Sequence, residues 1–276
     1  MSVHRLAYWQ WLPPAGRAFE RTCVAVHGLT RNGRDYDVVA ARLADEGWRV
    51  IAVDFVGRGQ SEWLSDAALY GYPQYVSDMV VLLARLDVTA VDLWLGTSMG
   101  GLTGMFVASM PQQLVKRMIL VDIGPMIPSA SIVRIKAYVG SDPRFKTRGD
   151  AVAACKAILQ TFGPHTDEQA EIVIRHYIVE KEGEWRFHYD PRIAVPFKAA
   201  PDVDVVLWPV WDQIKCPVLV LRGANSDVLL ETTAAEMQTR GPAQVRVVTF
   251  AGVGHAPTLI VEDQVTAVLE FAKSAE

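Results

Sequence analysis

The sequence predicts an α/β protein with a mostly parallel sheet. Short apolar runs alternate with amphipathic stretches near both ends of the chain, and the amphipathic stretches have helical spacing that stops at glycine or proline. This alternation is expected of βαβ units, in which helices cover the faces of a parallel sheet. It is interrupted once, over residues 124–211, and the interruption predicts an inserted segment.

Each predicted element of the first part follows from its local pattern. Apolar runs that end in a glycine or a polar residue predict buried strands, and apolar residues three or four positions apart predict helices. Pro73 is tolerated in the first turn of its helix, whereas Pro111 ends another helix. The predicted strands are 22–28, 49–54, 91–96 and 117–122, and the predicted helices are 35–47, 72–87 and 98–110.

Beyond residue 123 the pattern changes. Three helical patterns, "ASIVRIKAYVG", "DAVAACKAILQTFG" and "TDEQAEIVIRHYIVE", precede an aromatic stretch that is interrupted by prolines. Regular alternation then resumes, with strands at 217–223 and 245–250 and helices at 231–239 and 262–273. We therefore expect a core domain made of residues 1–123 and 212–276, and an inserted helical lid made of residues 124–211.

Composition and charge exclude several classes of protein. The 276-residue chain is 50% apolar and 21% charged, as expected of a globular protein and not of a disordered one. A formal charge of −4 and the lack of a basic run argue against a nucleic-acid partner. Three widely spaced cysteines fit a reducing compartment, and neither a signal-peptide pattern nor an apolar run of membrane-spanning length is present. We expect a cytoplasmic protein with no membrane partner.

One serine is bracketed by glycines between a predicted strand and a predicted helix. The segment Gly96–Gly100, "GTSMG", has the pattern Gly-x-Ser-x-Gly. In a sharp strand-to-helix turn the flanking positions need glycine, because neighbouring backbone passes within contact distance. Such a turn raises the Ser98 hydroxyl above the sheet edge and points the helix N-terminus at a developing oxyanion. Ser98 is the predicted nucleophile, and a glycine-rich turn with an incidental serine is the alternative.

A serine nucleophile needs a general base, and the sequence offers six histidines. His255 lies in the glycine-flanked loop "GVGHAP" after a predicted strand, at the edge where the active sites of α/β proteins form. We therefore predict that His255 is the base. His165, His176 and His188 fall in the predicted lid, where packing or surface roles are favoured. None of the histidines has the i, i+4 spacing of a metal site, so we expect no metal.

Two aspartates are candidates to hold the imidazole of His255. Asp227, in "LRGANSDVL", follows a predicted strand by a short loop, and the chain order Ser98, Asp227, His255 is the order expected for this fold. Asp122, in "LVDIGP", ends the neighbouring strand and is the competing candidate. We favour Asp227 as the acid of the triad. For both residues the alternative is a turn-forming role.

The oxyanion of a tetrahedral intermediate requires two N–H donors. One is predicted at Met99, the residue after the nucleophile, and the other at Leu29, in the loop "HGLTRNG" after an early strand. His27, in the same loop, is interpreted as a structural residue that braces the loop and not as a second base.

Together these residues resemble the α/β-hydrolase superfamily, and the resemblance covers nearly the whole chain. It is carried by "HGLTRNG", "VDFVGRGQSEW", "GTSMGG", "LRGANSDVL" and "GVGHAP", in that order. The resemblance implies the α/β-hydrolase fold, with a mostly parallel eight-stranded sheet flanked by helices, a helical lid after the sixth strand, and hydrolysis without a cofactor. Asp54, Arg58 and Ser61 of the second motif are interpreted as loop-bracing residues. Serine at position 98 excludes the branches of the superfamily that use aspartate there.

The predicted activity is hydrolysis of a small-to-medium carboxylic ester, of carboxylesterase or lactonase type, through an acyl-enzyme on Ser98. The lid is expected to supply the cavity for this small-molecule substrate. Five lid residues are candidates to line the cavity, although each could equally pack the lid onto the core. They are Met126, Trp185, Phe187, Trp208 and Trp211.

Two other functions remain open. One is hydrolysis of a carbon–carbon bond in a vinylogous diketone, for which Arg134, Arg144 or Arg192 could hold a dienolate or a carboxylate. The other is ligand binding by a protein that kept the fold and lost turnover, because one fold hosts many functions. Candidates at all three triad positions argue against the second alternative.

Overall fold

A seven-stranded sheet flanked by helices forms the centre of the structure. The computed structural model describes residues 4–274. The strands are β1 (Tyr8–Trp11), β2 (Arg21–Val26), β3 (Trp48–Val53), β4 (Leu93–Thr97), β5 (Met118–Val121), β6 (Met126–Ile127), β7 (Ile178–Lys181), β8 (Glu184–Phe187), β9 (Val205–Val206), β10 (Val218–Gly223) and β11 (Val245–Phe250). The helices are α1 (Asp37–Asp45), α2 (Tyr72–Arg85), α3 (Met99–Ala108), α4 (Ser129–Tyr138), α5 (Arg148–Leu159), α6 (Asp167–Ile174), α7 (Ala194–Ala199), α8 (Trp208–Trp211), α9 (Glu231–Met237) and α10 (Glu262–Lys273).

The strand order of the main sheet is β1-β3-β2-β4-β5-β10-β11. All neighbouring pairs are parallel except β1 and β3, which are antiparallel. The resemblance implies eight strands, whereas residues 4–274 contribute seven to this sheet. The edge strand β1 is only four residues long, and its side chains alternate between exposed and partly exposed, as expected of a solvent-facing edge and not of an inner strand. Because the described part of the chain forms a sheet that ends at β1 and β11, the expected number of eight strands is corrected to seven there.

The inner strands are buried on both faces, as parallel strands covered by helices must be. In β2, Val24 and Val26 belong to one apolar core, whereas Cys23 and Ala25 belong to a second core on the opposite face. Helices α2 and α3 contribute to the first core, and α1 and α10 contribute to the second. The alternation of side chains along each strand thus divides the apolar residues between two layers of helices.

The predicted elements of the core are present, with ends shifted by about two residues or fewer. The bounds of β11 and α10 coincide with the predicted ranges 245–250 and 262–273. Helix α3 is buried nearly all round, which explains why its sequence lacks a polar face. Among the helices formed by residues 4–274, none combines the length and hydropathy needed to cross a membrane.

Between β5 and β10 the chain leaves the main sheet. This segment contains α4 to α8 and two small antiparallel sheets, and the pairing of β6 with β9 brings its two ends together. The third helical pattern is correct only as far as Ile174, where α6 ends. Residues 178–181 form β7 instead, because Glu182 and Gly183 both have positive φ (58° and 78°) and close a tight hairpin with β8. The division into a core and a lid stays a prediction.

Candidate active site

Ser98 lies at the sharp turn between β4 and α3. Its backbone has φ 49° and ψ −114°, a combination that non-glycine residues rarely adopt. A Cβ atom at Gly100 would lie 1.9 Å from the carbonyl oxygen of Val26, and one at Gly96 would lie 2.6 Å from the carbonyl oxygen of Gly100. Both flanking positions therefore require glycine, because backbone occupies the space that a side chain would need.

Three side chains form a hydrogen-bonded chain at the carboxyl end of the sheet. Ser98 Oγ lies 3.0 Å from His255 Nε2, and His255 Nδ1 lies 2.7 Å from Asp122 Oδ2. The Asp122 side chain is fully buried, and the His255 side chain is 13% exposed. When Nδ1 carries the proton and donates to Asp122, Nε2 can accept the proton of the serine hydroxyl. This is the arrangement that general-base activation of a serine requires.

The Asp122 carboxylate is held by three donors. Asp122 follows β5 directly and has a positive φ of 54°. Its Oδ1 accepts from the N–H of Gly223 at 2.8 Å, and its Oδ2 accepts from the hydroxyl of Ser226 at 2.5 Å. With His255 as the third donor, the buried carboxylate is hydrogen-bonded on both oxygens, as a buried charge must be.

The structure corrects the choice of Asp227 as the residue that holds His255. The Asp227 side chain is 48% exposed and forms an ion pair with Arg134 of α4, with Arg134 Nε at 2.5 Å from Oδ2. The preceding residue, Ser226, is buried, and its hydroxyl points at Asp122. The turn after β10 therefore directs the side chain of residue 226 inward and that of residue 227 outward. Asp122, the competing candidate, lies where Asp227 was expected.

The two predicted oxyanion donors border the same space as Ser98. Met99 is the first residue of α3, where N–H groups have no acceptor within the helix. Leu29 lies in the loop after β2, and its carbonyl oxygen accepts from Arg58 Nε at 2.9 Å. Both residues line the cavity that also contains Ser98 and His255. Their N–H groups stay the predicted donors to an oxyanion at Ser98.

Buried polar groups brace the loop that carries Leu29. His27 Nε2 accepts from the N–H of Phe55 at 2.9 Å, and Nδ1 lies 2.6 Å from the carbonyl oxygen of Gly28, to which its proton is donated. Burial lowers the pKa of His27 to about 3, so the ring is neutral. Both ring nitrogens of His27 contact backbone groups. These contacts agree with the loop-bracing role interpreted from the sequence.

The motif Asp54–Ser61 braces the same region. Asp54 Oδ1 accepts from the N–H of Gly33 at 2.7 Å, and the Ser61 hydroxyl donates to the carbonyl oxygen of Asp54 at 2.6 Å. Arg58 is fully buried and ties this motif to the Leu29 loop. These contacts join two loops through backbone groups, which is the role interpreted for Asp54, Arg58 and Ser61.

A cavity of about 340 Å³ lies in front of Ser98 and His255. Its walls are mostly apolar and come from α2 and α3 of the core and from α4 and α7 of the segment 124–211. Among the described residues, Arg31 is the only lysine or arginine that lines it, and Arg31 donates to both carboxylate oxygens of Asp35 at 2.8 and 2.5 Å. A cavity of this size, with apolar walls and few polar groups, suits the uncharged part of an organic ligand.

The five residues predicted to line the cavity lie elsewhere. Over residues 4–274 its lining does not include Met126, Trp185, Phe187, Trp208 or Trp211. Trp211 is fully buried and donates from Nε1 to the carbonyl oxygen of Arg240, and the Arg240 guanidinium stacks on Trp208. Phe187 stacks on Tyr177, while Trp185 and Met126 are paired in the two small sheets. Their size and apolar character serve packing of the segment, so the lining role is corrected.

Comparison with known proteins decides the family. The sequence profile described as the alpha/beta hydrolase family matches residues 23–271.

The chain belongs to the alpha/beta hydrolase family.

Relatives named as hydrolases and esterases support this membership. A 3-hydroxybutyrate-oligomer hydrolase of Cupriavidus necator is 45% identical over 282 residues, which cover 99% of this chain and 94% of that protein. The esterase YbfF of Escherichia coli is 26% identical over 248 residues, 84% of this chain and 85% of that protein. The crystal structure of an alpha/beta hydrolase from Novosphingobium aromaticivorans has a TM-score of 0.83 and 31% identity, covering 99% of each chain. The predicted α/β-hydrolase fold and hydrolase class are confirmed.

The arginines considered for cleavage of a carbon–carbon bond do not line the cavity of this alpha/beta hydrolase. Each is paired with an aspartate outside the cavity, which neutralises its charge. The pairs are Arg134 with Asp227, Arg144 with Asp142, and Arg192 with Asp190. These arginines are therefore not placed to hold a dienolate or a carboxylate beside Ser98.

Sequence reasoning missed two groups of site residues in this alpha/beta hydrolase. Ser226 was overlooked because the neighbouring aspartate in "ANSDVL" is the usual type of residue for a triad acid. The apolar residues of α4, Ile132 and Ile135, line the cavity, yet their spacing of three is equally typical of core packing. The position of α4 across the cavity is a tertiary property, and local spacing does not reveal it.

Proposed function

We propose that this alpha/beta hydrolase is a serine esterase that cleaves carboxylic esters through an acyl-enzyme on Ser98. The observation that carries the proposal is the hydrogen-bonded chain Ser98–His255–Asp122 beside an apolar cavity. The names of the relatives in Cupriavidus necator and Escherichia coli are those of ester hydrolases and support the same reaction. In this proposal Asp122, and not Asp227, is the acid of the triad.

Acylation begins with attack of Ser98 Oγ on the ester carbonyl carbon. His255 Nε2 takes the hydroxyl proton, and Asp122 orients the ring and stabilises the imidazolium. The N–H groups of Leu29 and Met99 donate to the oxyanion of the tetrahedral intermediate. The C–O bond of the leaving alcohol then breaks, and the alcohol oxygen takes the proton from His255.

Deacylation repeats these steps with water as the nucleophile. His255 removes a proton from water, whose oxygen attacks the acyl carbon on Ser98. Collapse of the second tetrahedral intermediate breaks the bond to Ser98 Oγ, which recovers the proton from His255. The products are a carboxylic acid and an alcohol, and the enzyme returns to its starting state.

The substrate that we propose is a short oligomer of 3-hydroxybutyrate, a small-to-medium ester with a repeating chain. The relative of that name shares 45% identity over 99% of this chain, which includes the cavity-forming segment. The cavity of about 340 Å³ has apolar walls that suit the methyl and methylene groups of such a chain. We propose that residues 124–211 act as the lid that closes over it, because α4 and α7 form part of the wall.

The test is an ester panel assayed with the wild type and with Ser98→Ala. The panel contains 3-hydroxybutyrate dimer and trimer, nitrophenyl esters of increasing acyl length, and a lactone. We expect wild-type turnover of linear esters, including the oligomers, and a fall in kcat on the order of 10⁴-fold or more in Ser98→Ala. Asp227→Asn is the matched control, because it changes a carboxylate near the site that does not contact His255.

Labelling with a fluorophosphonate separates catalytic from binding-only behaviour. We expect labelling of the wild type and none of Ser98→Ala. A folded wild type that neither labels nor turns over any ester would contradict the proposal and would favour a protein that only binds ligands.

A further inference from the structure

The hydroxyl-bearing side chains that line the cavity differ in whether their hydroxyl groups already have hydrogen-bond partners within the protein. Most of them already have a hydrogen-bond partner within the protein, although the Tyr75 and Tyr138 hydroxyls only accept from arginines. The engaged pairs are Tyr70 with Asp190, Tyr75 with Arg58, Tyr138 with Arg134, Thr30 with Tyr177, Thr97 with Tyr36, and Ser98 with His255.

Tyr72 is the exception. It lines the cavity, and within residues 4–274 its hydroxyl has no hydrogen-bond partner. Its ring is held between two others, with centroid distances of 5.3 Å to Phe106 and 6.2 Å to Tyr75. Burial raises the pKa of the Tyr72 phenol above its ordinary value, so the group stays protonated and can donate. A fixed ring with a free donor on an apolar wall is expected to bind an acceptor of the ligand.

The charge of the wall restricts the kind of acceptor. Arg31 is neutralised by Asp35, and a phenol does not compensate a full negative charge on a ligand. The group that Tyr72 binds is therefore a neutral oxygen, such as a hydroxyl, an ether-type ester oxygen or a carbonyl. A plain alkyl chain would leave the phenol buried without a partner, which costs binding energy.

We infer that Tyr72 forms a polar subsite that selects esters whose acyl chain carries a second neutral oxygen. The inference rests on the proposed esterase function and adds to it a residue that determines specificity. A chain of 3-hydroxybutyrate units has such an oxygen in every unit, whereas a simple alkanoyl chain has none. Discrimination would arise from the hydrogen bond to Tyr72, and the apolar walls would accept both kinds of chain.

The experiment compares two substrates that differ by one hydroxyl. These are the 3-hydroxybutyrate dimer and its deoxy analogue, 3-(butanoyloxy)butanoate, assayed with the wild type and Tyr72→Phe. We expect a higher wild-type kcat/KM for the dimer, and a fall of about 3- to 10-fold in the ratio of the two kcat/KM values in Tyr72→Phe, mainly through KM for the dimer. A packing defect would affect both substrates and cancel in the ratio.

Tyr8→Phe, which makes the same chemical change on the exposed edge strand β1, is the control and should keep the wild-type ratio. An unchanged ratio in Tyr72→Phe, or a wild type without preference for the hydroxylated dimer, overturns the inference while the esterase proposal stands. Absence of turnover with every ester of the panel removes the proposed function itself. Thermal unfolding of both variants checks that each is folded.

Discussion

Asp122 and Asp227 follow neighbouring parallel strands of one sheet but lie in opposite environments. Asp122 comes directly after β5, is fully buried and contacts His255. Asp227 comes four positions after the end of β10, is 48% exposed and pairs with Arg134. Both positions fit the rule that functional side chains collect at the carboxyl ends of parallel strands. The difference shows that this rule identifies only the edge of the sheet at which a site forms. The turn after each strand determines which side chain enters the site.

The two environments also differ in how strongly each carboxylate is bound. Three donors converge on Asp122 in the absence of solvent, so each hydrogen bond is to a fully desolvated charge. The pair of Asp227 with Arg134 is about half exposed to water, which screens it. We expect substitutions at the two positions to have very different consequences for turnover.

The largest expected effect comes from removing the charge at position 122. Asp122→Asn should lower kcat on the order of 10³- to 10⁴-fold, because the amide no longer stabilises the imidazolium and favours the wrong tautomer. Asp227→Asn should change kcat less than about threefold and the free energy of unfolding by less than ~1 kcal/mol. Steady-state kinetics and urea unfolding measure both. A large loss of kcat in Asp227→Asn with Asp122→Asn near wild type would reverse the comparison.

A second effect concerns burial of a titratable group and the stability at low pH. The pKa of buried His27 is lowered to about 3 in the folded protein, whereas that of an unfolded histidine is about 6.5. Below pH 6.5 the unfolded state therefore binds a proton that the folded state does not, and stability falls as the pH falls towards 3. The contribution approaches ~1.4 kcal/mol per pH unit.

Urea unfolding at pH 7, 6 and 5 measures this slope. His27→Asn should be less stable at every pH, because it alters the contacts to Phe55 and Gly28. The dependence of its unfolding free energy on pH should be less steep, by up to the contribution of one proton. Equal slopes in the wild type and the variant would show that His27 does not control the acid sensitivity.

The smallest of these effects concerns the hydroxyl that lies between the two regions. Ser226 donates to Asp122 Oδ2 and accepts from the N–H groups of Val228 and Leu229 at 3.2 Å. Ser226→Ala should lower kcat about 10-fold with little change in KM, because one of three donors to the carboxylate is lost. Ser226→Thr keeps the hydroxyl and should recover most of the activity. An equal loss in both variants would indicate a packing defect instead of a lost hydrogen bond.

Much of this protein could be predicted from local sequence. The alternation of apolar runs and amphipathic stretches predicts the parallel sheet, because both faces of each inner strand must be buried. The glycines at 96 and 100 predict the turn at Ser98, because backbone contact leaves no room for a side chain there. The position of His255 could also be predicted, because its loop follows a strand at the carboxyl edge of the sheet.

Only the tertiary structure decided which residues complete the site. Whether Asp122 or Asp227 reaches His255 depends on the φ of 54° at Asp122 and on the turn after β10, which sends Ser226 inward. The cavity wall depends on how α4 and α7 pack around the cavity, whereas Trp211 of the same segment packs elsewhere. Local spacing determines which face of an element is apolar. The element that packs against this face is determined by long-range packing, about which sequence periodicity carries no information.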